Sequence, residues 1–204
     1  MRYEVKKEEC DITVQARSRE YSLDILDRAD ANISFLTRNP YYNRWVAITG
    51  RDLTEYRTFR KLTIDPSLVY VEVGAGLGEF IPAVVQKNPK EKPIVIDPAD
   101  YRLMLDMLQF AELLPLAEQT KQKLRIYQER CKTILNPHKV RLVSSQLENV
   151  FDLNPELEGV ADVVVDHFGA LFYNYRQRPG LEDLERRLLK ANGTAYNRPL
   201  VRSR

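Results

Sequence analysis

The chain is poor in the residues that mark several protein classes. Only two of its 204 residues are cysteine, Cys10 and Cys131. They lie far apart, with no CxxC pair and no histidine pair nearby, so neither a disulfide framework nor a structural zinc site is expected. Charge of one sign is also missing. Lys and Arg number 31 against 29 Asp and Glu, a net charge of +2, which supplies no general electrostatic pull toward nucleic acid or membrane. No apolar run is long enough to span a bilayer, so no membrane partner is expected. The first nine residues are charged and lack the apolar stretch of a signal peptide. Together with two reduced cysteines, that sets the expectation of a cytoplasmic protein. There is no internal repeat and no low-complexity segment. What remains is an ordinary globular balance, 44% hydrophobic and 29% charged, which argues against disorder, collagen and coiled coil. The length suits one domain, or one domain with an extension, around a substantial core.

The texture changes near residue 66. Before it the chain is polar and irregular. Leu23, Leu26, Ile33 and Leu36 with acidic residues between them suggest a helix over 22–35, ended by Asn39-Pro40. A second helix is expected over 52–61, capped by Asp52 or Thr54. The segment 1–66 is therefore read as an N-terminal helical extension. After the turn at Asp65-Pro66-Ser67, short β-rich apolar runs alternate with helical patterns. The runs are 68–73, 93–96, 140–143 and 161–165, and near-continuous apolar runs suit buried parallel strands. A helix is expected from Phe80 to about Asn88, and a long helical stretch over 100–135, divided at Pro115. A last amphipathic helix places Leu181, Leu184, Leu188 and Ala191 on one face and closes at Asn192-Gly193. A fifth strand would follow from Thr194. Alternating strands and helices define an α/β domain over 67–204 with a mostly parallel sheet, helices on both faces, and ligands at the carboxyl ends of the strands.

The richest motif is Val71-Glu72-Val73-Gly74-Ala75-Gly76-Leu77-Gly78-Glu79-Phe80. Glycines permit a tight strand-to-helix turn and a close backbone approach by a ligand. The helix that follows directs N–H groups at the ligand. The dinucleotide fingerprint GxGxxG needs glycine where Glu79 stands, so the pattern here is GxGxG, with the acidic Glu72 in the strand ahead of it. Asp97 ends the next strand, twenty-one residues after Gly76, where a carboxylate can accept hydrogen bonds from both ribose hydroxyls. The combination specifies a nucleoside-containing ligand with little or no pyrophosphate.

On these residues the chain resembles the class I S-adenosylmethionine-dependent methyltransferases. Glu72-Val-Gly-Ala-Gly-Leu-Gly78 is similar to the family's first motif and Val95-Ile-Asp97 to its second. Arg141-Leu-Val-Ser-Ser-Gln146 stands where the adenine-contacting third motif belongs. Ala161-Asp-Val-Val-Val-Asp166 looks like the fourth strand, and Leu188-Leu-Lys-Ala-Asn-Gly193 like the helix-to-strand segment near the end. The resemblance covers about residues 67–200 and implies a Rossmann-like, doubly wound fold. It also implies S-adenosylmethionine as cofactor. Gly74, Gly76 and Gly78 would line its methionine half, Glu72 would hold the loop or receive the ammonium group, Asp97 would bind ribose, and Ser145 or Gln146 would face adenine.

Methyl transfer needs the acceptor atom aligned with the methyl carbon, and a general base where that atom carries a proton. The fourth strand should deliver Asp166, His167, Phe168 and Gly169 to that point. Asp166 or His167 would act as base or orient the acceptor, and Phe168 would form an apolar wall. The plainer alternative is that Asp166 caps the next helix and His167 packs. The segment is not Asn/Asp-Pro-Pro-Tyr, which argues against amino-directed DNA methylation and leaves a small molecule, a protein or an RNA as acceptor. Tyr41, Tyr42, Arg44, Trp45, Arg57 and Arg60 mix aromatic and basic character. Tyr42 and Trp45 either cover the substrate or pack the extension onto the sheet. A methyltransferase-like protein that binds without catalysing is the alternative function. Only eleven residues follow Gly193, room for a fifth strand but not for the sixth and seventh strands usual in the family. The missing edge is then dispensable, supplied by a partner chain or lost by truncation, and an exposed edge would favour a homodimer or a partner chain that covers it.

Overall fold

A computed structural model describes residues 3–16, 21–28, 32–39, 44–49, 62–166 and 178–197. The chain divides into two compact units. The first comprises Met1–Arg51, Gly76–Gly78 and Ala99–Leu135; the second comprises Asp52–Ala75, Glu79–Pro98 and Asn136–Arg204.

The expected N-terminal helical extension is instead a sheet. Strands β1 (Tyr3–Glu8), β2 (Asp11–Ala16), β3 (Tyr21–Leu26), β4 (Asn32–Asn39) and β5 (Arg44–Thr49) form an antiparallel meander in sequence order. The residues that suggested a helix over 22–35 fall on β3 and β4, paired so that Leu23 faces Phe35 and Ile25 faces Ile33. All four are buried, as are Ile12 and Val14 on β2, so the operative period is two: one apolar face per strand. The helix expected over 52–61 lies outside the described residues. Two helices complete this unit, α2 (Tyr101–Glu112) and α3 (Glu118–Leu135), separated around Pro115 as expected. Asp100 caps α2, accepting from the N–H groups of Arg102 and Leu103. Asp27, just after β3, caps α3: it accepts from the Ala117 N–H at 3.0 Å and the Thr120 hydroxyl at 2.6 Å. Met104, Met107 and Leu108 of α2 and Leu124, Tyr127 and Cys131 of α3 are buried.

The second unit holds β6 (Tyr70–Val73), α1 (Phe80–Gln86), β7 (Ile94–Ile96), β8 (Arg141–Val143), the short α4 (Val150–Leu153), β9 (Ala161–Asp166), α5 (Arg178–Leu188) and β10 (Leu189–Asn197). Its five strands are all parallel, in the order β10-β9-β6-β7-β8. This is an α/β sheet with helices in its crossovers, compatible with a Rossmann-like arrangement. Val71, Ile94 and Val164 stand in register and join a core with Val150 and Phe151 of α4 and Leu181 and Leu188 of α5. Tyr70 and Glu72 point to the opposite face by strand alternation. There the Tyr70 ring meets Phe80 of α1 at 5.8 Å. Helices thus cover both faces, and each fully buried Val or Ile contributes about 1.5–3 kcal/mol.

The end of this unit differs from expectation. α5 stops at Leu188, and Ala191 and Asn192-Gly193 belong to β10 rather than to a helix and its cap. The register of β10 on β9 shifts between Leu189 and Thr194. A Cβ on Gly193 would stand 2.9 Å from the Ala161 carbonyl oxygen and 2.8 Å from a Leu189 methyl. The glycine marks a bulge where two backbones approach, not a helix terminus.

Candidate functional site

The sheet order reverses between β6 and β9, because β6 continues to β7 on one side while β9 pairs on the other. The crevice outside the carboxyl ends at such a reversal is where ligands bind in open α/β sheets. The glycine turn leaves β6 there, Asp97 follows β7, and Asp166 ends β9.

The turn uses its glycines unequally. Gly74 has φ 69 and Gly76 has φ 52, both in the left-handed region where a side chain is strained, whereas Gly78 is not left-handed. The Gly74 N–H donates to the Ile96 carbonyl at 2.9 Å, tying the turn to β7. Downstream, Leu77 is buried, and its carbonyl accepts from Nη1 of Arg130 on α3 at 3.0 Å. Glu79 occupies the N-cap of α1, but its side chain makes no capping bond. The Glu72 carboxyl, reaching from the strand, accepts from the Ile81 N–H instead. One of the helix N–H groups expected to face a ligand is therefore already occupied.

Glu72 is only 6% exposed, with Asp97 at 4% and Asp166 at 1%. Burial pushes the Glu72 carboxyl up to about 8; the Ile81 N–H opposes this, and the nearby charges of Asp97 and Asp166 add to it. Glu72 Oε2 is buried with no hydrogen-bond partner. Once ionised, a buried carboxylate oxygen without a donor, close to two further acids, favours a cationic or hydrogen-bond-donating ligand and disfavours an anion. Among the described residues no group of three or more His, Cys, Asp or Glu is disposed to hold a metal ion.

The remaining expected site residues are distributed as follows. Ser145 is buried just past β8, and its hydroxyl donates to the Gln146 carbonyl at 2.9 Å. Gln146 is half-buried, extended, and makes no side-chain cap of the short turn that follows. Trp45 falls on β5 opposite Arg38 of β4. His167, Phe168 and Tyr42 lie outside the described residues. Sequence reasoning passed over Arg130. The available signal was a charged residue placed among Leu124, Tyr127, Cys131 and Ile134 on the buried side of the helix.

No helix among the described residues is long and apolar enough to cross a membrane. Compared with models of known protein families and with curated protein sequences, the chain matches none.

Proposed function

We propose that the parallel-sheet unit is a Rossmann-like S-adenosylmethionine-binding domain and that the chain is a methyltransferase. One observation carries the reading: Glu72, a buried acid with one carboxyl oxygen lacking a partner and two further acids nearby, stands two residues before the first glycine of the turn at the reversal of a parallel sheet. The arrangement fits S-adenosylmethionine, which brings an ammonium group, a sulfonium and a ribose but no pyrophosphate. It disfavours a dinucleotide, whose pyrophosphate would meet the acids. When bound, the cofactor supplies a methyl carbon open to in-line displacement by an acceptor atom.

In this reading Gly74, Gly76 and Gly78 leave room for the methionine half, and Glu72 holds α1 and, on giving up its proton, offers Oε2 to the ammonium. Asp97, buried at the end of β7, binds the ribose hydroxyls away from competing water. Ser145 and Gln146 edge the adenine. Asp166, at the end of β9, orients the acceptor or takes its proton. The acceptor is a small molecule, a protein or an RNA. The test is a melting experiment with S-adenosylhomocysteine and with NAD. A ligand that binds only the folded state raises the melting temperature. The reading predicts a rise with S-adenosylhomocysteine and none with NAD; no rise with either, or a rise with NAD alone, overturns it.

A further inference from the structure

Glycine segments have the most conformational freedom to lose on folding, so a turn built as Gly74-Ala75-Gly76-Leu77-Gly78 needs outside restraint to hold one shape. Its upstream end has the bond from the Gly74 N–H to Ile96. Its downstream end has Arg130, which is 8% exposed and donates from Nη1 to the Leu77 carbonyl at 3.0 Å. The guanidinium also lies 5.5 Å from the centre of the Tyr127 ring. Burying a guanidinium is unfavourable unless its donors are satisfied. An apolar residue would complete the face made by Leu124, Tyr127, Cys131 and Ile134 without that cost. Arg130 therefore has a task that packing does not supply, and one atom it bonds is a main-chain oxygen between two glycines.

We propose that Arg130 is a positioning residue for the glycine turn, holding the Leu77 carbonyl so that the backbone of Gly76 to Gly78 keeps the shape that receives the cofactor. The last clause rests on the cofactor reading; the restraint of the turn does not. Two measurements separate them. Amide hydrogen exchange on the ligand-free protein reads the turn directly. Arg130→Met keeps length and apolar packing but removes every donor. Loss of a buried, charge-assisted hydrogen bond should speed exchange at residues 76–79 by about ten- to hundredfold. Amides of α3 should stay within about twofold, and Arg130→Lys, which keeps one charged donor, should fall between. Unchanged exchange at 76–79, or an equal rise along α3, overturns the proposal. Should the methionine variant not fold, the lysine variant decides alone: selective acceleration at 76–79 supports the restraint and its absence refutes it.

The second measurement is S-adenosylhomocysteine affinity. Failure of the wild-type protein to bind would refute the cofactor reading and leave the exchange result standing. If the wild type binds, Arg130→Met should weaken affinity about tenfold or more, with partial recovery in Arg130→Lys. Equal affinity in the wild-type and methionine proteins would overturn the link from turn to cofactor.

Discussion

Glu72→Gln isolates the cost of the buried acid. The wild-type carboxyl has an ordinary value of 4.5 and stands at about 8 in the fold. An acid raised on folding contributes stability that is fully present below the unfolded value and is lost as pH rises through the folded one. Between 4.5 and about 8 the unfolded chain releases the proton and the folded chain keeps it, so stability falls by about 1.4 kcal/mol per pH unit. Over the whole span that is about 5 kcal/mol, of which about 3 kcal/mol is already lost at pH 7. Glutamine has nearly the same shape, its carbonyl still accepts from the Ile81 N–H, and it does not titrate. Urea unfolding of both proteins at half-unit intervals from pH 5 to pH 8.5 is the assay. The difference in stability should grow steadily in favour of Glu72→Gln and level off above pH 8. A difference that stays constant with pH would refute the assignment of a buried, raised carboxyl. A difference growing in the opposite direction would show that Glu72 is held as a carboxylate.

Four further outcomes are expected. Asp27→Ala removes the cap of α3 and both bonds to Ala117 and Thr120, and should cost about 1–2 kcal/mol in urea unfolding, with Asp27→Asn retaining most of it. Gly193→Ala places a methyl against the Ala161 carbonyl; overpacking on backbone should cost about 1–3 kcal/mol, read as a lower melting temperature. In the native protein a thiol reagent at pH 8 should label Cys10, which is exposed, and spare Cys131, whose burial pushes it up to about 12; rapid labelling of both would contradict the burial of α3. Cofactor affinity should rise from pH 6.5 to pH 8.5 as Glu72 gives up its proton to pair with the ammonium, and Glu72→Gln should flatten that dependence in a binding titration.

The parallel sheet was legible because its central strands are buried on both faces. Ile94 to Ile96 and Val163 to Val165 are continuous apolar runs, Val69 to Val73 is interrupted only by Glu72, and each ends in glycine or aspartate. The break at Pro115 was legible for a covalent reason, since proline lacks the N–H a helix needs. The N-terminal sheet was misread because Leu23 with Leu26, and Ile33 with Leu36, are spaced like a helix face. The alternation of Leu23 and Ile25 with Ser22 and Asp24 was the stronger signal, and Ile12, Val14 and Ala16 repeat it. Asn192-Gly193 misled because a bulge and a helix cap ask for the same residue. At the site, Glu72 and Asp97 were found by spacing from the glycines. Three things followed only from the fold: the Glu72 carboxyl serves α1, its second oxygen lacks a partner, and Arg130 returns from α3 to the turn.

The most direct test of the cofactor reading is calorimetric titration of the folded protein with S-adenosylhomocysteine, repeated on Asp97→Ala. The account predicts saturable binding of one ligand per chain, lost in the variant while its unfolding transition is kept. No binding by the wild-type protein at millimolar ligand, or undiminished binding by Asp97→Ala, would contradict it.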